Sequence, residues 1–122
     1  MAWKKANLEL AAHLDKAVAD FKPEKKQMFG HPVQFVNNNM FAGIFGDDIW
    51  IRLPAEYREA IFAENDEAQT FEPMRGRQMR EYVVLPESIH GNPDLLDKWL
   101  NRSYHYVYSL PVKVKKPKKK KK

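Results

Sequence analysis

Changes of hydrophobic period along the 122 residues predict an α+β domain in the order α-βββ-α-ββ-α, with its first three strands an antiparallel meander and a disordered lysine-rich tail after the last helix. Three observations carry this expectation. Residues 3–21 repeat their apolar positions at helical spacing. Residues 33–53 switch to short apolar runs separated by Asn, Gly and Asp. Residues 111–122, PVKVKKPKKKKK, contain nothing that could build a core.

The first helix rests on Leu10, Leu14, Ala17, Val18 and Phe21, which follow the i, i+4, i+7, i+8, i+11 rule for one buried stripe, with Trp3 ahead of them. Glu9, His13, Asp15, Lys16 and Asp20 fill the other faces, and Lys22-Pro23 ends the helix because a residue before proline is pushed out of the α region. Val33, Phe35 and Val36 then form a strand that stops at Asn37-Asn38-Asn39, residues able to adopt left-handed conformations. Residues 40–45 make a second strand and Gly46-Asp47-Asp48 a second turn. In the third strand Ile49, Ile51 and Leu53 share one face, with Trp50 and Arg52 on the other.

Pro54 suits the first turn of a helix, where its missing N–H costs nothing. Tyr57, Ala60 and Ile61 supply that helix's apolar face, and Asn65-Asp66-Glu67 closes it. Thr70-Phe71-Glu72 and residues 80–85 read as a strand pair joined by a loop over 73–78, and Pro86 stops the second strand. Asn92-Pro93-Asp94 starts the last helix: Asn caps, Pro takes the first position, and Asp favours the positive end of the helix dipole. Leu96, Trp99, Leu100, Ser103 and Val107 are its stripe. Tyr104, Tyr106 and Tyr108 alternate at strand spacing as well, so the stripe predicts a helix here but does not fix where it ends.

The length suits one domain, residues 1–110, with the tail at 111–122. The net charge of +5 divides unevenly. Eight of the 21 basic residues are tail lysines (Lys113, Lys115, Lys116, Lys118, Lys119, Lys120, Lys121 and Lys122), which leaves 13 bases against 16 acids and a charge of −3 for residues 1–110. All the excess basicity thus sits in an appended arm rather than on a binding face. No apolar run approaches the roughly 20 residues of a membrane span, and the N-terminal residues lack the apolar stretch of a secretory signal. With no cysteine, disulfides, thiolate chemistry and cysteine metal sites are excluded. The expected address is cytoplasmic, with no membrane partner.

The tail is the principal candidate site. Its lysines could hold phosphate backbones by counterion release without reading sequence, and Pro111 and Pro117 keep it extended. Without aromatics of its own, it gives bases nothing to stack on. The alternative is a tail that only aids solubility. Arg75, Arg77 and Arg80, around Gly76, form a candidate anion-binding loop; the alternative is a solvated hairpin whose arginines pair with Glu72 and Glu81. His13, His31, His90 and His105 lack metal-ligand spacing, and Asp47-Asp48 reads as turn chemistry. Ser88 near His90, and Ser103 near His105, lack a nucleophile elbow. No catalytic residue, metal, cofactor or small-molecule substrate is therefore expected. The three tyrosines cannot all be buried on one helix, so either they form a surface for a protein partner or a second copy, or two pack and one reaches water.

The chain resembles the TfoX N-terminal domain family. The resemblance is carried by Met28-Phe29-Gly30 opening the sheet and by the hairpin of residues 39–52, NMFAGIFGDDIWIR. It continues through Phe71, Met74-Arg75-Gly76-Arg77-Gln78-Met79, Tyr82, Pro86 and Trp99. It covers roughly residues 5–108 and implies an α+β fold similar to that of secretion chaperones, with helices packed on one antiparallel sheet and no established active site. Full-length competence regulators of the family carry a second, helical domain where this chain carries its lysine run. The expected function is a non-enzymatic accessory or regulatory module, with a chaperone-like or scaffolding protein-binding domain as the alternative.

Overall fold

The computed structural model describes residues 7–28, 31–74 and 76–111, with the backbone alone for Met28, Pro73, Met74 and Arg77. Trp3, Phe29, Gly30, Arg75 and all eight tail lysines lie outside the described residues.

Helix α1 (Leu8–Val18) is capped by Asn7, whose side chain accepts from the Leu10 N–H. It passes into a 3-10 turn (Ala19–Phe21) that Lys22 ends in the left-handed region at φ 52°. The expected stripe is the buried one: Leu14 and Val18 are fully enclosed, and Leu10, Ala17 and Phe21 pack at its margin.

Six strands come next, pairing antiparallel throughout: β1 (Glu24–Met28), β2 (His31–Val36), β3 (Asn39–Phe45), β4 (Asp48–Arg52), β5 (Gln69–Met74) and β6 (Arg77–Leu85), in the spatial order β1-β2-β3-β4-β6-β5. Helix α2 (Ala55–Glu64) connects β4 to β5, and α3 (Glu87–His90) and α4 (Pro93–Ser109) come after β6. The predicted order is present, with two elements added to it. Strand β1 lies on the outer edge, and α3 is a single turn after Pro86. The loop expected over 73–78 is shorter than anticipated, because β5 and β6 run on until Met74 faces Arg77 across a two-residue turn.

The turns obey their residues. Asn37 and Asn38 both hold positive φ (54° and 64°) between the paired Val36 and Asn39, the geometry of a type I′ hairpin. Gly46, at φ 62°, takes the first central position of the β3–β4 turn, as in type II′.

The four helices of the described residues lie on one sheet face. There Ile49, Ile51 and Leu53 of β4 meet Ile61 of α2, Ile89 of α3 and the α4 stripe, in which Leu96, Trp99, Leu100, Ser103 and Val107 are all buried. On the second face Trp50 and Phe71 are fully enclosed, with Val33 beside them and Phe35, Met40, Phe45, Met79, Tyr82 and Val84 half-buried around them. Phe45 and Phe71 come from strands three places apart. In a flat sheet their backbones would be about 14 Å apart, yet their ring centroids are 5.5 Å apart. The two side chains therefore reach toward each other over β4 and β6, and among the described residues aromatic rings rather than a helix cover this face.

Between Gln34 and Phe35 the β2–β3 register slips, and Phe41 is the extra residue, lying between Met40 and Ala42 without a partner on β2. A bulge leaves a backbone carbonyl outside the ladder. Here the fully buried Ser103 hydroxyl donates to the Phe41 oxygen at 3.0 Å, which accounts for a polar residue in the α4 stripe. Ser103→Ala should lower stability by about 1–3 kcal/mol, since it orphans a buried carbonyl. Urea unfolding checks this, and an unchanged midpoint would show that the bond contributes nothing.

Candidate functional site

The tail departs from a corner built by two elements. Helix α4 ends at Ser109, and the Leu110 N–H donates back to the Val107 oxygen. The β2–β3 turn holds the chain at the helix end and just past it. Asn37 Nδ2 donates to the Tyr108 carbonyl at 3.3 Å, while Asn39 Nδ2 donates at 3.2 Å to the oxygens of both Asn37 and Pro111. Leu110 packs against the core beside them. The helix end is thus tied to the hairpin by the turn residue Asn37, and the first tail residue by Asn39 at the start of β3. Nothing in the order of residues signals this junction, because its partners are 71 and 72 positions apart.

The three tyrosines before it have separate roles. Tyr104 stacks on Phe21, with centroids 4.3 Å apart and planes 12° apart. Tyr106 lies 5.8 Å from the Arg52 guanidinium. Tyr108 stacks on the outer side of Tyr104 and remains 58% exposed. The region is helical, and one ring reaches water. Arg52 also pairs with Glu81 at 2.7 Å and lies 5.5 Å from the Tyr82 ring. Burial pushes the Tyr82 phenol above its ordinary pKa, with Arg52 opposing that rise.

The arginine loop is placed in part. Arg75 and the Arg77 side chain lie outside the described part of the chain, while Arg80 is exposed on β6. Gly76 adopts φ 82° and donates its N–H to the Glu72 carboxylate at 2.6 Å, and Glu81 is held by Arg52. Neither acid is ion-paired with Arg80 among the described residues. The Arg80 carbonyl accepts from Arg58 Nη1 at 2.7 Å.

A cleft of about 690 Å³ opens where the β3–β4 turn meets the start of β5 and the beginning of α3, and Asp47, Asp48, Glu67, Glu72, Glu87 and His90 are among its walls. Asn7 closes one end, its Nδ2 donating to Asp47 at 3.0 Å. Burial holds the His90 imidazole below its ordinary pKa, and His13 adds to that while Glu87 and Asp48 oppose it. The His13 Nε2–H donates to the His90 carbonyl at 2.8 Å, since a carbonyl only accepts. Ser88 accepts from Asn65 Nδ2 at 3.0 Å. Among the described residues no three His, Asp or Glu side chains converge as metal ligands, and no helix is long and apolar enough to cross a membrane.

Two further arrangements escape sequence reasoning. Asp15 on α1 accepts from Lys25 and from Gln34, both at 2.8 Å, and so clamps β1 and β2 beneath the helix. Arg102 of α4 lies 4.7 Å from the rings of both Tyr57 and Trp99, beside a recess of about 510 Å³ that His105 and Tyr106 also line. The 3.6-residue period places Arg102 on a flank of the stripe, but only the packing of α2 supplies its second ring.

No curated protein and no solved structure matches the chain. The family model for the TfoX N-terminal domain matches residues 17–106, a span that runs from the last two residues of α1 through the sheet and into the final turn of α4. The match takes in both turns, the bulge, the aromatic face and the buried Trp99, and the chain belongs to the TfoX N-terminal domain family.

Proposed function

We propose that the chain is a non-enzymatic accessory or regulatory module, in which the folded domain contacts a protein partner and the lysine tail holds nucleic acid without reading its sequence. The division of charge carries this proposal. Residues 1–110 are net negative, whereas residues 111–122 hold eight lysines and no acid. A net-negative domain keeps polyanions off its own surface, so phosphates are met by the arm. The arm starts beside Tyr108, at a corner whose carbonyls the Asn37 and Asn39 side chains hold. Lysines acting as point charges attract phosphate and carry no information about bases.

The test is fluorescence anisotropy with labelled DNA and RNA, on the full chain and on residues 1–110, at low and moderate salt. The full chain should bind different sequences alike and weaken steeply with salt, with a log–log slope of up to about −0.9 per phosphate neutralised. The shortened chain should lose that binding. Equal affinity of both would move the contact to the domain, with Arg75, Arg77 and Arg80 as the surface. Absence of binding by either would leave the domain as a chaperone-like or scaffolding protein binder with a solubilising tail.

A further inference from the structure

We propose that Tyr108 is a stacking platform for an unpaired base, so that the nucleic acid held by the tail is single-stranded rather than duplex. This rests on the tail's binding of nucleic acid and adds a preference that lysines alone do not supply.

Phe21, Tyr104 and Tyr108 form a ladder of nearly parallel rings, spaced 4.3 Å and then 5.5 Å between centroids, with planes 12° and 21° apart. The edge of Phe41 braces the inner two. Tyr108 is the outermost rung. Leu8 and Tyr108 are the large hydrophobic side chains that stand exposed among the described residues, and Tyr108 alone of the two is aromatic. Its backbone is held by Asn37 and its ring is backed by Tyr104, so the ring is both presented and supported.

A flat ring with one face in water is what an unstacked base seeks. Every base has a π-face, so such a contact adds affinity without sequence preference. Bases of a duplex are already stacked and paired and must be pulled out at a cost before they can use it. Tyr108 precedes Lys113 by five residues, which limits their separation to about 17 Å. A base on the ring and phosphates on the first lysines then belong to one short stretch of strand. The tail has no aromatic residue of its own, and the end of α4 supplies it with one.

The experiment measures anisotropy of the full chain with a labelled oligothymidine and with a mixed-sequence duplex of equal length, at one salt concentration. Wild type should favour the single strand. Tyr108→Ala and Tyr108→Leu should each lose single-strand affinity on the order of tenfold, with duplex affinity and salt slope unchanged. Tyr108→Leu keeps apolar cover on Tyr104, so any loss it shows belongs to the π-face, and Tyr108→Trp should retain wild-type behaviour. Equal affinity of wild type for both forms, or variants that keep the wild-type ratio, would overturn the inference while leaving the tail's role intact. A full chain that binds neither form at low salt overturns the tail's role as well.

Discussion

Trp99→Ala is expected to remove a large share of the domain's stability. Trp99 is 1% exposed and sits in the middle of the α4 stripe, between Leu96 and Leu100, which are equally enclosed. The outer side of its ring is covered by Lys98 at 5.1 Å and Arg102 at 4.7 Å, so the indole joins the core to the cationic surface of α4. Removing a buried Trp side chain costs about 3–5 kcal/mol, through lost burial and the cavity left behind. Domains of this size hold only about 5–15 kcal/mol in total. The melting temperature should fall by roughly 15 °C or more, measured by circular dichroism. An unchanged melting temperature would place Trp99 outside the core and dismiss the packing of α4.

Trp50→Ala should cost a similar amount, about 3–5 kcal/mol, on a face where none of the described helices packs. Trp50 is fully buried between Phe71, stacked at 5.1 Å, and Tyr82, edge-on at 5.2 Å. Beneath it Gly43, its cross-strand partner, leaves room for the indole. A Cβ at position 43 would lie 2.5 Å from Trp50 Cζ2. Phe71 and Tyr82 leave the ring little room to move aside, so Gly43→Ala alone should lose about 1–3 kcal/mol by overpacking. In the Trp50→Ala background the same methyl enters vacated space, and Gly43→Ala should become neutral or favourable. A double-mutant cycle in urea reads this coupling. Strict additivity of the two changes would mean that the ring and the glycine do not meet.

Residues next to one another in the chain made much of this legible. The last helix is written in the Asn92 cap, whose side chain accepts from Asp94 and Leu95, and in a stripe whose five members are all buried. The faces of β4 follow from strict alternation, and the hairpins from Asn37-Asn38 and Gly46. The acidic domain and the basic tail emerge from a count of charges. Less was legible where a segment lacks a pattern of its own. Strand β1, Glu-Lys-Lys-Gln-Met, shows no apolar alternation, because an edge strand needs only its ladder to β2 and charges suit its free side.

Local period and capping chemistry therefore determined, from sequence alone, every helix and strand except β1 and α3, the faces that α1, β4 and α4 bury and where the charge lies, because each of those signals is complete within about a dozen residues. Tertiary structure decided the rest. It made Phe41 the bulged residue and Ser103 its donor, seated Trp50 over Gly43, tied Pro111 to Asn39, and left Tyr108 as the outer ring of a stack that begins at Phe21. Each of these is a contact between residues whose properties become relevant only once folding has placed them a few ångströms apart.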